Sequence, residues 1–393
     1  MPVFLTLFLK DVTIYNMPFC YAPWTNLDID SQGKILPCCK YQPSSDDQEY
    51  NIRIHSLNEY SASAFLNQIK QKFTQDQWPA GCARCQIEEQ NNIQSKRQLD
   101  HNRWQEHYVQ YQLDSDQWLT ACIAFGNTCN LKCITCSSHS SSRWRDEYNA
   151  IYGQDFQHVK FYRNDFVEIF VAQAPGIVHI DVHGGEPFLS GVDEQKKLLQ
   201  HYVDSGRAAD ITLHYITNVS IFPDEEWWQL WSNFREVDLQ LSIDGIESRY
   251  EYIRYPAIWA VTLENTQRYI QKEKQLANVR LSVSHTVSAY NIFYLDEFFA
   301  WCANVGLPKP WLGRVHGPAH MRPSVWPNKQ HIVGHLSCSQ YEDVRTWAEM
   351  IDNSDDSDQF EEFCKKLHQH DQYRGLDFSQ TFPEMAHALL TVE

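Results

Sequence analysis

The chain lacks an excess of positive charge. Lys and Arg together number 33 against 50 Asp and Glu, and the net charge is −17. A broad basic surface for a phosphate backbone is therefore excluded, although a local basic groove is not, and nucleic acid is not an expected partner. It also lacks a long apolar run. Residues 1–9 are apolar but too few to span a bilayer as a helix, so no membrane association is expected. A secretory signal is missing too: there is no positive n-region and no small-residue cleavage site. Met17, directly before Pro18-Phe19-Cys20, stands as an alternative start to Met1. There are no repeats and no low-complexity tract. With 43% hydrophobic and 13% aromatic residues the chain is globular, and 393 residues suffice for two or three domains.

Cysteine is plentiful, with 12 residues that cluster rather than scatter. Clustering points to metal ligation more than to disulfides, and to a reducing, cytoplasmic setting. Cys129, Cys133 and Cys136 stand in C-x3-C-x2-C spacing. Three thiolates so spaced can wrap one face of a cubic iron–sulfur cluster and leave its fourth iron without a protein ligand, open for chemistry. A structural zinc site would want four ligands, usually as two C-x2-C pairs. The bland alternative is a trio of buried thiols. A second set comprises Cys20, Cys38 and the pair Cys82-Ala83-Arg84-Cys85. Four thiolates close the coordination of a cluster or of zinc, and spacing does not choose between them. Cys39 is a spare beside Cys38, while Cys122, Cys302, Cys338 and Cys364 have no partner at ligand spacing and read as buried or free thiols.

Pattern divides the chain at about 115 and 315. The first 115 residues show turn signals and five of the cysteines but no regular strand–helix alternation, and 86–112 reads as a polar helix or linker. From 119 onward the apolar runs 119–125, 177–182, 211–216, 237–243, 279–287 and 311–315 read as strands, separated by helical stretches at 192–205, 224–233, 258–276 and 294–305. That alternation predicts an α/β fold with a parallel sheet and right-handed crossovers, whose active face lies at the strands' C-terminal ends. Residues 316–393 read as a polar, helical segment.

Polar signals follow the predicted strands. After the second comes Gly184-Gly185-Glu186-Pro187, where glycines permit close backbone approach and a carboxylate can accept from an ammonium group; alone it could be a plain turn. Thr217 and Asn218 end the third strand, and Ser242 and Asp244 end the fourth on one side. Each could bond a ligand hydroxyl or simply cap a helix. Arg254 suits a carboxylate partner or a surface ion pair. His285, on the fifth strand, reads as a core residue. No catalytic acid or base stands out.

The three-cysteine loop after a first strand, together with Gly184-Gly185-Glu186, resembles the radical S-adenosylmethionine superfamily. The resemblance implies a partial (β/α)6, TIM-like barrel over 116–315 with a small cysteine-rich iron–sulfur domain at 1–115. Cys129, Cys133 and Cys136 would then hold a 4Fe–4S cluster that binds S-adenosyl-L-methionine. Gly184, Gly185, Glu186 and Pro187 would grip its amino group, and Thr217, Asn218, Ser242, Asp244 and Arg254 would supply polar contacts. Thr135 fills a slot that is often aromatic in the family and lies near the adenine. The upstream set resembles the twitch domain, a shortened relative of the SPASM domain, which makes Cys20, Cys38, Cys82 and Cys85 ligands of a second, auxiliary 4Fe–4S cluster placed ahead of the barrel. The implied reaction is reductive cleavage of S-adenosylmethionine to a 5′-deoxyadenosyl radical that abstracts a substrate hydrogen. A donor such as flavodoxin or ferredoxin would supply the electron, and a peptide or protein side chain leads as substrate. Alcohol oxidation on a carbohydrate or aminocyclitol is the next choice, and a non-catalytic iron–sulfur or zinc-binding module is the alternative of another class.

Overall fold

The computed structural model describes residues 18–90, 94–109, 117–153 and 164–389. The apolar stretch 1–9 and Met17 lie outside them. Eight strands form one sheet: β1 (Asn26–Ile29), β2 (Ile35–Leu36), β3 (Thr120–Ala124), β4 (His179–His183), β5 (Thr212–Thr217), β6 (Glu236–Ser242), β7 (Val279–Val287) and β8 (Trp311–Arg314). Their order is β2-β1-β3-β4-β5-β6-β7-β8. β1 pairs with β2 antiparallel, whereas β1–β3, β3–β4, β6–β7 and β7–β8 are parallel. The last six strands lie where the apolar runs predict them, and the helices Val192–Asp204, Glu225–Trp231, Trp259–Gln275 and Leu295–Val305 fill the predicted intervals. β1 and β2 fall in the segment where the sequence pattern is irregular, because four and two residues are too few to register a period. The polar stretch 86–112 contains the end of the helix Ala83–Gln90 and the helix Lys96–Val109, with 91–93 and 110–112 outside the described residues.

The chain forms two compact units. The first contains 1–126, 159–183 and 193–213. Its strands β1, β3 and β4 alternate cleanly: Leu27, Ile29, Ala121, Ile123, Ile180 and Val182 are buried on one face, and Asn26, Asp28, Thr120, Cys122, His179, Asp181 and His183 occupy the other. A parallel strand buried on both faces usually reads as continuously apolar. Here one face is polar instead, and Thr120 Oγ1 donates to Asn26 Oδ1 (2.8 Å) across it.

The second unit contains 127–158, 184–192 and 214–393. β6 follows the same rule, with Val237, Leu239 and Leu241 fully buried and Asp238 on the polar face accepting from Ser282 Oγ of β7 at 2.7 Å. The segment after Gly317 is less polar in role than its composition suggests. Val325, Trp326, Ile332, Leu336, Phe363, Phe378 and Phe382 join Tyr252, Tyr290 and Ile134 in one apolar core. Burial of aromatic side chains of this size dominates the packing energy of such a core. The helix Phe360–Arg374 ends on Gly375 in the left-handed region (φ +67°).

Candidate active site

The cysteine loop is held from inside. Leu131 and Ile134 are buried, and the intervening main chain bonds outward: Lys132 N donates to Tyr255 O (2.7 Å) and Ile134 N to Ile253 O (2.7 Å). Ser141 Oγ donates to the Leu131 carbonyl (2.6 Å) and Trp144 Nε1 to that of Cys133 (2.9 Å). Cys129, Cys133, Thr135 and Cys136 are left half-buried around these anchors. Leu131 N and Asn218 Nδ2 point at Cys129 Sγ, at 3.4 and 3.8 Å. Burial pushes all three thiols up, Cys136 to about 12, and the charge of Cys129 adds to the rise in the other two. A cationic iron core is what would turn such thiols into thiolates.

The turn after β4 packs on this loop. Gly185 lies at φ +57°, and a Cβ there would stand 2.3 Å from the Thr128 carbonyl oxygen. Gly185 N donates to Ser140 O (3.1 Å) and Glu186 N to Thr128 O (2.9 Å). The close approach that the glycines permit is thus made by the protein's own main chain, one residue before Cys129. Glu186 is fully buried; its Oε1 accepts from Thr217 Oγ1 (2.9 Å) and its Oε2 from Asn218 N (2.8 Å). Burial raises this carboxyl to about 7, against the pull of the Asn218 and Thr217 hydrogen bonds. Gly184 precedes it at φ +85°, and beyond Pro187 the ring of Phe188 stacks on Tyr215. Thr217 and Asn218 are therefore part of the carboxylate's cradle. Asn218 Nδ2 also donates to Asn130 Oδ1 (3.1 Å). The next residue, Val219, has φ +65°, a strained conformation for a β-branched side chain. Hydrogen bonds from Tyr250 to the Asn218 carbonyl (3.0 Å) and from Asn265 to that of Val219 (2.9 Å) fix it.

Ser242, Asp244 and Arg254 meet. Arg254 Nη2 donates to Ser242 Oγ (2.6 Å) and pairs with Asp244 Oδ2 (2.8 Å), while Asp244 Oδ1 accepts from Thr286 N (2.7 Å). Arg254 is 6% exposed and its Nε is buried with no hydrogen-bond partner. Burial would lower its pKa, but Asp244 and Cys133 outweigh it and hold the charge on. The same guanidinium favours ionisation of Cys133, Cys136 and Glu186. His285 is a core residue: its Nδ1 lies 3.0 Å from the Ile243 carbonyl, its ring lies on Phe298, and burial lowers it to about 4.

In the first unit Cys20, Cys38, Cys82 and Cys85 come together. Burial raises all four, Cys20 to about 12, and the charges of Cys20 and Cys82 raise Cys38 further. Gly81 makes the assembly possible: a Cβ there would stand 2.4 Å from the Tyr41 ring, and the Gly81 carbonyl accepts from Gln42 N at 2.9 Å. That contact draws the segment after Cys38 against the turn that carries Cys82. Arg97 anchors the next helix by two bonds to Glu89 and one to the Phe19 carbonyl (2.9 Å), next to Cys20. Among the described residues, no three sulfurs of either cysteine set lie within 4.8 Å of one another. Thiolates about 2.3 Å from a single zinc would be at most about 4.6 Å apart. Neither set is drawn in to that spacing.

Residues 20–86 match the SPASM iron–sulfur cluster-binding domain. The chain is 23% identical over 204 residues to the sporulation killing factor maturation protein SkfB of Bacillus subtilis (strain 168), a match covering 51% of this chain and 43% of that protein. Among solved structures, native anSMEcpe with bound AdoMet aligns at a TM-score of 0.39 and 19% identity, covering 50% of this chain and 52% of that one. Streptococcus suis SuiB bound to S-adenosylmethionine aligns at 0.37 and 13%, covering 66% and 53%. Among the described residues, no helix is long and apolar enough to cross a membrane.

The sequence motifs of the superfamily omit what holds this chain's cysteine loop from behind. Lys132, between the first two cysteines, pairs through Nζ with Glu147 Oε2 (2.8 Å). Glu147 is fully buried, and its Oε1 also meets His370 Nδ1 (2.9 Å) and Arg374 Nε (2.7 Å). Arg374 Nη2 returns to the Lys132 carbonyl (2.8 Å). Burial would raise Glu147, but His370, Arg374 and Lys132 hold it down at about 2. No spacing rule could have found these partners, because Glu147 and Arg374 are 227 positions apart.

Proposed function

We propose that this protein is a radical S-adenosylmethionine enzyme that modifies or oxidises a side chain of a peptide. Cys129, Cys133 and Cys136 would hold the cluster, and Cys20, Cys38, Cys82 and Cys85 the auxiliary one. When bound, cluster and S-adenosylmethionine supply one-electron cleavage to methionine and a 5′-deoxyadenosyl radical, which takes a hydrogen atom from the substrate. The chain's own residues bind and orient. Arg254, with its unsatisfied Nε, would receive the methionine carboxylate while Asp244 keeps it in place. Glu186 would hold the turn of Gly184 and Gly185 and the Thr217–Asn218 loop at one distance from Cys129, and main-chain groups of that turn with Pro187 would face the amino group. Ser242 and Thr135 would border the nucleoside. The observation that carries the reading is the convergence of three strand-end loops on one cysteine loop, with the buried Arg254 guanidinium between them. The peptide reading rests on the relative whose name makes it a maturation protein of a killing factor. A donor such as flavodoxin or ferredoxin and a reducing, cytoplasmic setting complete the proposal.

The test is anaerobic reconstitution with iron and sulfide, then addition of dithionite and S-adenosylmethionine. Wild type is expected to release 5′-deoxyadenosine and methionine, and Cys133→Ala neither. Equal release from both chains, or none from an iron-loaded wild type, overturns the proposal.

A further inference from the structure

A second kind of site lies in the first unit, beside Cys39, whose thiol hydrogen-bonds Cys122. In the parallel register Asp28 of β1 stands beside Cys122 of β3, and Cys122 beside Asp181 of β4. Residues so paired project from the same face of a sheet, and His183, two positions after Asp181, shares that face. The ligand atoms of Asp28, Cys122 and His183 all lie within 4.8 Å of one another. Asp28 is 4% exposed, and its Oδ1 is buried without a hydrogen-bond partner. A buried carboxylate oxygen left unsatisfied costs free energy that a cation would recover.

We infer that Asp28, Cys122 and His183 form a site for one divalent cation of the zinc class. The donor set selects the ion. One carboxylate oxygen, one sulfur and one imidazole nitrogen do not suit magnesium or calcium, which take oxygen ligands. Zinc accepts all three donors at about 2.0–2.3 Å, which the present spacing reaches with small side-chain movements. Cys122 and His183 are only half-buried, so the trio leaves a coordination position open on the polar face. Three protein ligands with a fourth place free is the pattern of reactive zinc rather than structural zinc. The site would bind a carboxylate, thiolate or water there. The sequence could not show it, since its residues are drawn from strands 94 and 61 positions apart in order and fit no ligand-spacing rule.

The full chain is first reconstituted anaerobically with iron and sulfide, then equilibrated with Zn²⁺, desalted and analysed for metals. Wild type is expected to retain a single zinc beyond its iron. Asp28→Asn, Cys122→Ser and His183→Gln are each expected to lose that zinc with iron content and melting temperature unchanged, and Cys338→Ser to keep both metals. With Co²⁺ in place of Zn²⁺, the iron-loaded wild type is expected to add a sulfur-to-cobalt charge-transfer band, judged against the same sample before addition, that Cys122→Ser lacks. A wild type that holds no zinc and adds no such band overturns the inference, and so does zinc that stays in Cys122→Ser and His183→Gln. Because the wild-type cobalt band needs no variant, misfolding of a mutant leaves the inference open to refutation.

Discussion

Gly185 has no room for a side chain. A methyl group there would meet a main-chain oxygen at 2.3 Å in a left-handed backbone. Gly185→Ala is expected to cost about 2–5 kcal/mol from conformational strain and overpacking. It should appear as a lower melting temperature and as loss of iron from the Cys129 loop while the SPASM iron stays. The sequence made the glycine pair and Glu186 legible as a place of close approach. It could not say that Thr128 occupies the space beside Gly185, because what faces a glycine is set by a loop 57 positions away. Glu186 has a matching pH signature. Its folded pKa of about 7 lies above the ordinary 4.5, so folding favours the protonated form. Its contribution is therefore greatest below 4.5 and declines as pH rises toward 7. The stability of Glu186→Gln relative to wild type is expected to improve across that window, as read by thermal melts of the apo chain.

The strands β3 to β8 were readable because each has enough residues to alternate or to run apolar before a polar stop. The hold on the cysteine loop was not, since it comes from the helix Phe360–Arg374, whose charged residues resemble any solvated helix face. Removing one partner of a buried ion network leaves the others uncompensated, at about 3–5 kcal/mol. Arg374→Ala and Glu147→Gln are both expected to fall in that range by chemical denaturation at neutral pH, and to loosen iron held by the loop. Glu147 is depressed to about 2, so its stabilisation is present in full above 4.5 and is lost as pH falls toward 2. The gap between wild type and Glu147→Gln should close over that acid range. A gap that persists at pH 2 would remove the electrostatic account.

At the scale of the molecule, the two cysteine sets belong to different compact units, with Cys129, Cys133 and Cys136 in one and Cys20, Cys38, Cys82 and Cys85 in the other. Two cubic clusters would give about eight iron atoms per chain. Cys82→Ala is expected to keep about four and still release 5′-deoxyadenosine, and Cys133→Ala to keep about four and release none. Iron near four in wild type would refute the two-cluster reading. The cysteine spacings announced both sets, but the mixed trio of Asp28, Cys122 and His183 was invisible until the strands were laid side by side. The hold of His370 and Arg374 on Lys132 has a genetic corollary. A nonsense mutation between codons 316 and 370 would leave every family motif in the open reading frame intact, and a homology search would still label the truncated gene product an enzyme. Its cysteine loop would nevertheless have lost two of the three partners of Glu147.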